Sequence, residues 1–168
     1  HSTVLGHLDN KTFIVDPVFS VRASPISCLG PKRFDGSLTP LSELPSIDFI
    51  FITHNHYDHL DRYSIMALHE QVQAIYVPDG NGALLSEWGI CQSKIKEFKW
   101  FEEFFIENLM VCFCPTQHFS SRGLFDRDKT LWGSWVIKSK SHSLFVSGDS
   151  GYNEHFKVIA QKYAPFDI

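Results

Sequence analysis

Apolar and polar positions divide the chain into short segments. Residues 3–5 and 12–15 read as two strands, and Leu8, Asp9, Asn10 and Lys11 between them mark a hairpin turn. Residues 47–53 form a mostly apolar run that suits a buried strand. The pattern predicts further strands over 74–77, 94–99, 109–114, 131–138 and 143–146. It predicts helices over 60–71, with Ile65, Leu68 and Val72 inward, over 81–88, and over 152–163, with Phe156, Ile159 and Ala160 on the apolar face. Between the hairpin and residue 47 come the steps Asp16-Pro17, Ser24-Pro25, Gly30-Pro31, Thr39-Pro40 and Leu44-Pro45. Proline this dense predicts a long ordered loop, and long loops in compact domains are usually functional. Strands dominate and helices fall between them, the pattern of an α/β sandwich with helices outside.

Composition narrows this picture only slightly. The chain has 168 residues, 43% hydrophobic and 20% charged, so one globular domain over 1–168 is expected. A net charge of −4 offers no basis for a nucleic-acid partner. Of the four cysteines, Cys112 and Cys114 lie two apart in a strand-like run, share one face, and read as reduced, buried thiols. Reduced thiols, no apolar run of membrane-spanning length and no signal peptide point to the cytoplasm. The chain opens at His1 directly into a strand pattern and stops at Pro165-Phe166-Asp167-Ile168, which reads as the start of another strand. A fragment of a longer protein is therefore expected.

The chemistry concentrates in His54-Asn55-His56-Tyr57-Asp58-His59, which follows the apolar run and precedes a predicted helix. In extended chain His54 and His56 project to one side, and Asp58 and His59 follow where the chain turns. Imidazole and carboxylate are common metal ligands. Four in six residues exceed what one tetrahedral ion takes from a tight turn, so division between two ions fits better. A histidine-rich surface loop is the alternative, and the buried strand behind the run argues against it.

H-x-H-x-D-H after a hydrophobic strand resembles the signature of the metallo-β-lactamase superfamily. Asp16 at the end of a strand, His118 after residues 111–117, and Asp149 in Ser147-Gly148-Asp149-Ser150-Gly151 match further elements of that family in order. Asp16 to Ser20, Arg22 to Pro25, Gly30 to Phe34, Leu131 to Trp135 and Gly148 to Tyr152 are similar to the N-acyl-phosphatidylethanolamine-hydrolysing phospholipases D and their bacterial relatives. The resemblance implies an αββα sandwich, here an incomplete chain lacking its C-terminal half-sheet. It implies two divalent ions, zinc before others: His54, His56 and His118 on the first, Asp58 and His59 on the second, and Asp149 bridging. A last ligand histidine would lie beyond Ile168, and His155, too close to Asp149, is not promoted to replace it.

By the same resemblance the chain is a metal-dependent hydrolase using a metal-bound hydroxide on a phosphodiester such as an N-acyl-phosphatidylethanolamine. Asp58 and Asp149 are the catalytic carboxylates, Asp58 also relaying a proton. Asp16 is expected to orient a ligand histidine, with a plain Asp-Pro turn the alternative. Lys32 and Arg33 could hold a substrate anion or be a solvated pair. The aromatic run Trp100, Phe101, Phe104 and Phe105 reads as core before acyl-chain contact, Trp132 and Trp135 as core, and His1 as a pocket histidine by resemblance. His7, His69 and His142 are expected to be structural or exposed. Other readings are a lactonase or other ester hydrolase, and a metal-binding protein without turnover. A lipid or small-molecule substrate, contact with a membrane surface, and an oligomer that covers an exposed first sheet complete the expectations. That sheet face would carry Phe13, Val15, Phe49, Phe51 and Val111.

Overall fold

A computed structural model describes residues 3–26, 28–34 and 39–168. Two sheets pack face to face. The first has five strands in the order β1 (Val4–Leu8), β2 (Lys11–Val15), β3 (Phe49–Phe51), β4 (Ala74–Pro78) and β5 (Ile95–Phe98). β1 and β2 are antiparallel, and β2 to β5 run parallel. The second sheet is the antiparallel series β6 (Glu102–Ile106), β7 (Leu109–Cys114), β8 (Ser134–Lys138) and β9 (Ser143–Val146). Helices α1 (Arg62–Leu68) and α2 (Gly82–Glu87) cover the outside of the first sheet, and α3 (His155–Tyr163) that of the second. This is the expected αββα arrangement.

The alternation within β2 shows why the layers form. Successive side chains on a strand face opposite ways. Phe13 and Val15 therefore enter the cluster between the sheets, with Phe49, Phe51, Tyr76, Phe113 and Trp135. Ile14 joins Ile50, Ile75, Ile65 and Leu85 beneath α1 and α2. Asp9 and Asn10, at φ 47° and 63°, make the hairpin turn in the left-handed region that Asn and Asp tolerate best. Phe51 stacks on Tyr76 at 4.9 Å and meets Trp135 at 5.1 Å, and such aromatic pairs add about 0.5–1.5 kcal/mol each beyond area burial. Cys112 and Cys114 are buried and free beneath Ile159 and Tyr163 of α3, as expected.

Two expectations are corrected. Phe13, Val15, Phe49, Phe51 and Val111 are at most 3% exposed, so this face needs no second chain to cover it. The reason is β6 to β9, which supply an opposing apolar face within the chain. The core reading of the aromatic run holds only for Phe104, because Glu102–Ile106 is an edge strand and Trp100, Phe101 and Phe105 are exposed. Its Phe104 stacks on Phe98 at 4.1 Å inside the sandwich, while Phe105 points to solvent. Boundaries also move: β8 begins at Ser134, and α3 begins at His155 rather than at residue 152. Asp167 N donates to Ser143 O and Phe145 N to Ile168 O, so the last residues bond to β9 although no strand forms there. Among the described residues no helix is long and apolar enough to cross a membrane.

Candidate metal centre

One end of the sandwich gathers the polar residues that the sequence singles out. Asp16 follows β2, His54 to His59 follow β3, His118 follows β7 and Asp149 follows β9. The parallel strands β2 and β3 thus release Asp16 and the histidine run side by side at their C-terminal ends, where open α/β sheets usually place their sites. Two hydrogen bonds to backbone carbonyls bring the second sheet to the same spot. Gly133 N donates to Thr53 O at 2.9 Å, and Trp135 Nε1 donates to Ile52 O at 2.9 Å. A side chain at Gly133 would collide with Cys114 O of the neighbouring β7 at 2.2 Å, so glycine is needed where the chain enters β8.

The histidines converge in two groups of three candidate ligand residues that share His54. His54, His56 and His118 form one, and His54, His59 and Asp149 the other, with ligand atoms within 4.8 Å of one another in each. His54 Nε2 is 2.9 Å from His56 Nδ1, which is 3.2 Å from His118 Nε2. Nitrogens bound at about 2.0–2.1 Å to one tetrahedral ion stand ~3.3 Å apart, so this donor set fits a shared metal. Asp149 faces both groups: its Oδ1 is 3.3 Å from His59 Nε2 and its Oδ2 is 3.8 Å from His118 Nε2. Asp58 lies outside both groups, although its charge acts on His56 and His118.

Burial sets the protonation states. It holds the His54 imidazole far below its ordinary range, helped by the neighbouring His59 and His56. It also lowers His56 and His118. Neutral imidazoles offer the lone pairs a metal needs. Burial works against charge on His59 as well, but the hydrogen bond and charge of Asp16 outweigh it, and the His59 pKa is raised. Asp16 Oδ2 is 2.7 Å from His59 Nδ1 and also accepts from Thr53 Oγ1 at 2.6 Å, while its Oδ1 accepts from Thr53 N at 2.8 Å. Asp16 thus bonds to both His59 and Thr53, contacts that an orienting carboxylate would make. Asp16 itself sits at φ 46°, an uncommon conformation for a residue with a side chain.

Lys32 and Arg33 line an open cleft of about 720 Å³ together with Val18, Val21, His56 and Asp58. Arg33 Nη2 donates to Val18 O at 2.6 Å, and its buried Nε meets no partner among the described residues. His155 stays out of both groups and meets Ser150 Oγ at 3.0 Å. His7, His69 and His142 bond to Thr12, Met66 and Ser141, away from the cluster. Trp135 is core, whereas Trp132 is half-buried and donates to Thr116 O. His1 lies outside the described residues.

Sequence reasoning missed Thr53, Gly148 and Arg122. Gly148 has φ 58°, and a Cβ there would meet the Thr53 side chain at 2.8 Å, so glycine lets Asp149 approach the histidine run. Its place beside Asp149 was a legible signal. Arg122 donates to Asn55 O and Leu60 O, and no spacing in the sequence points to that.

Residues 11–168 match the family model described as a β-lactamase superfamily domain. An uncharacterised protein of Mycobacterium tuberculosis is 39% identical over the whole chain, which spans 45% of that protein. An N-acyl-phosphatidylethanolamine-hydrolysing phospholipase D of Caenorhabditis elegans is 34% identical, again over the whole chain and 50% of the relative. The chain thus spans about half the length of these relatives. Among solved structures, the diiron β-hydroxylase CmlA from Streptomyces venezuelae superposes with a TM-score of 0.72 at 25% identity, over 98% of this chain and 31% of that one.

Proposed function

The chain belongs to the metallo-β-lactamase superfamily, and from that premise we propose that it is the ligand-bearing part of a binuclear metal-dependent hydrolase acting on a phosphodiester. The observation that carries this reading is Asp149, whose two carboxylate oxygens face His59 and His118, one from each of the two candidate ligand groups that share His54. A carboxylate so placed suits a bridge between two ions. His54, His56 and His118 would hold one ion. His59 and Asp149 would hold the other, with Asp58 turning in from the cleft side. Zinc suits the nitrogen and oxygen donors. Bound divalent ions supply Lewis acidity and bring the pKa of water down to about 7.

The chain's own residues do the rest. Asp16 accepts a hydrogen bond from Nδ1–H of His59 and so leaves Nε2 facing Asp149. Asp58, on the cleft wall beside His56, is placed to accept and pass on a proton from the attacking water. Lys32 and Arg33 on the same wall offer positive charge to a substrate phosphate. Val18, Val21 and Phe34 give the cleft an apolar side. Charge beside apolar wall suits an amphipathic phosphodiester, the class to which the substrate named for the nematode relative belongs. The test is elemental analysis of the purified protein, followed by assays against a phospholipid phosphodiester, a lactone and a β-lactam. Phosphodiester cleavage lost in the H54A variant supports the reading. Turnover of the lactone alone would replace the substrate class, and turnover indifferent to H54A would overturn the site. The fold also carries a diiron centre in its β-hydroxylase neighbour, so iron is measured alongside zinc.

A further inference from the structure

We propose that Arg122 is a positioning residue for this centre, holding the segment that carries His118 in fixed register with the run that carries His54, His56 and His59. The proposal rests on the reading of that cluster as a metal site. The ligands come from two sheets: His54 to His59 follow β3 of the first, and His118 follows β7 of the second. Apolar faces in contact resist separation but set lateral position only loosely, because hydrophobic attraction is non-directional. A shared ion needs each nitrogen placed to a fraction of an ångström. Directional bonds between the two segments are therefore required.

Arg122 supplies them. Its Nη1 donates to Asn55 O at 2.8 Å and to Leu60 O at 2.7 Å, so one nitrogen ties together both ends of the ligand run. Asn55 and Leu60 are buried, at 4% and 0% exposed. Between them, Tyr57 lays its ring 3.9 Å from the guanidinium carbon, and Trp88 of the α2 end stands at 5.5 Å. The chain from 55 to 60 thus wraps around a single planar cation. Next to it, Ser121 N donates to Asn55 Oδ1 at 2.8 Å, a second tie between the same segments. The far side is also fixed, because Asp126 accepts from Arg122 N and Gly123 N and closes the turn that presents the arginine. A guanidinium is always charged, and its flat fork can donate and stack at once. Lysine offers a point charge and no stacking plane.

The experiment uses the chain with Arg122→Met, which keeps stem length and removes every donor, and Arg122→Lys. Zinc affinity is measured by competition with a chromophoric chelator, and the ligand field by the visible spectrum of the cobalt(II)-loaded protein. Circular dichroism checks the fold of each variant. Orienting contacts behind metal ligands are worth roughly 10–100-fold in affinity, so R122M should bind zinc weaker by that factor with displaced cobalt bands, and R122K should fall between it and the parent. If R122M does not fold, R122K carries the test, with weaker binding expected and parental binding overturning the role. R122M binding both ions like the parent would overturn the proposal. So would a lower melting temperature with an unchanged cobalt spectrum, since that marks a merely structural role. A parent chain that binds neither ion would instead sink the metal-site reading itself.

Discussion

His59 Nδ1 and Asp16 Oδ2 lie 2.7 Å apart, both side chains nearly fully buried and 43 residues apart in sequence. The pair joins the end of β2 to the histidine run after β3. It explains why His59 alone among the cluster's four histidines has a raised pKa while the other three are lowered.

Replacing Asp16 with Ala should therefore weaken metal binding and folding together. It removes the acceptor for His59, which is expected to cost roughly 10–100-fold in metal affinity. It also strands the buried Thr53 N–H, at about 1–3 kcal/mol. Chelator competition and urea unfolding of the metal-free protein measure the two losses separately. Parental affinity in a folded D16A protein would contradict the orienting role.

Asp149→Ala should lower metal content far more than His155→Ala. Asp149 faces both ligand groups, whereas His155 bonds to Ser150 outside them. Elemental analysis after gel filtration reads the difference. Equal losses would show that the ligand assignment is wrong.

Two glycines make a controlled comparison. Gly148 and Gly89 both have positive φ, 58° and 92°, but a Cβ at Gly148 would strike Thr53 at 2.8 Å, while one at Gly89 meets nothing within 4 Å. Gly89→Ala should cost only backbone strain, about 1–2 kcal/mol, with metal content unchanged. Gly148→Ala should cost more and also reduce metal content, because it pushes Asp149 from the histidines. Denaturant midpoints and bound metal for both variants decide it, and similar behaviour of the two would remove the packing argument.

The Glu103 carboxylate accepts from Lys162 Nζ at 2.8 Å and from Tyr163 OH at 2.7 Å, and these bonds hold its pKa below the ordinary carboxylate range. A carboxylate depressed in the folded state gives stability that is present above the unfolded value of 4.5 and is lost as pH falls through the folded value. Unfolding free energy measured from about pH 6 down to about pH 3 should thus fall less steeply in Glu103→Gln than in the parent. Parallel curves would show that the bonds add nothing at this exposed edge.

The sequence alone determined what depends on neighbours along the chain. The two-residue period of Phe13, Ile14 and Val15 set which faces are buried, because a strand has no other way to place successive side chains. The run His54 to His59 announced its chemistry because four candidate ligands share one short turn after a buried strand. Strand β6 stayed hidden because it is an edge strand whose Glu102, Glu103 and Phe105 face water, and only Phe104 and Ile106 mark its inner side. Tertiary structure decided everything that joins distant segments. It brought four cover strands onto the first sheet, turned Asp149 toward both ligand groups and paired Asp16 with His59. It also set Arg122 under the ligand run 62 to 67 residues away. Such contacts obey hydrogen-bond geometry rather than spacing. They exist only once the apolar faces have closed and excluded water from the polar groups between them.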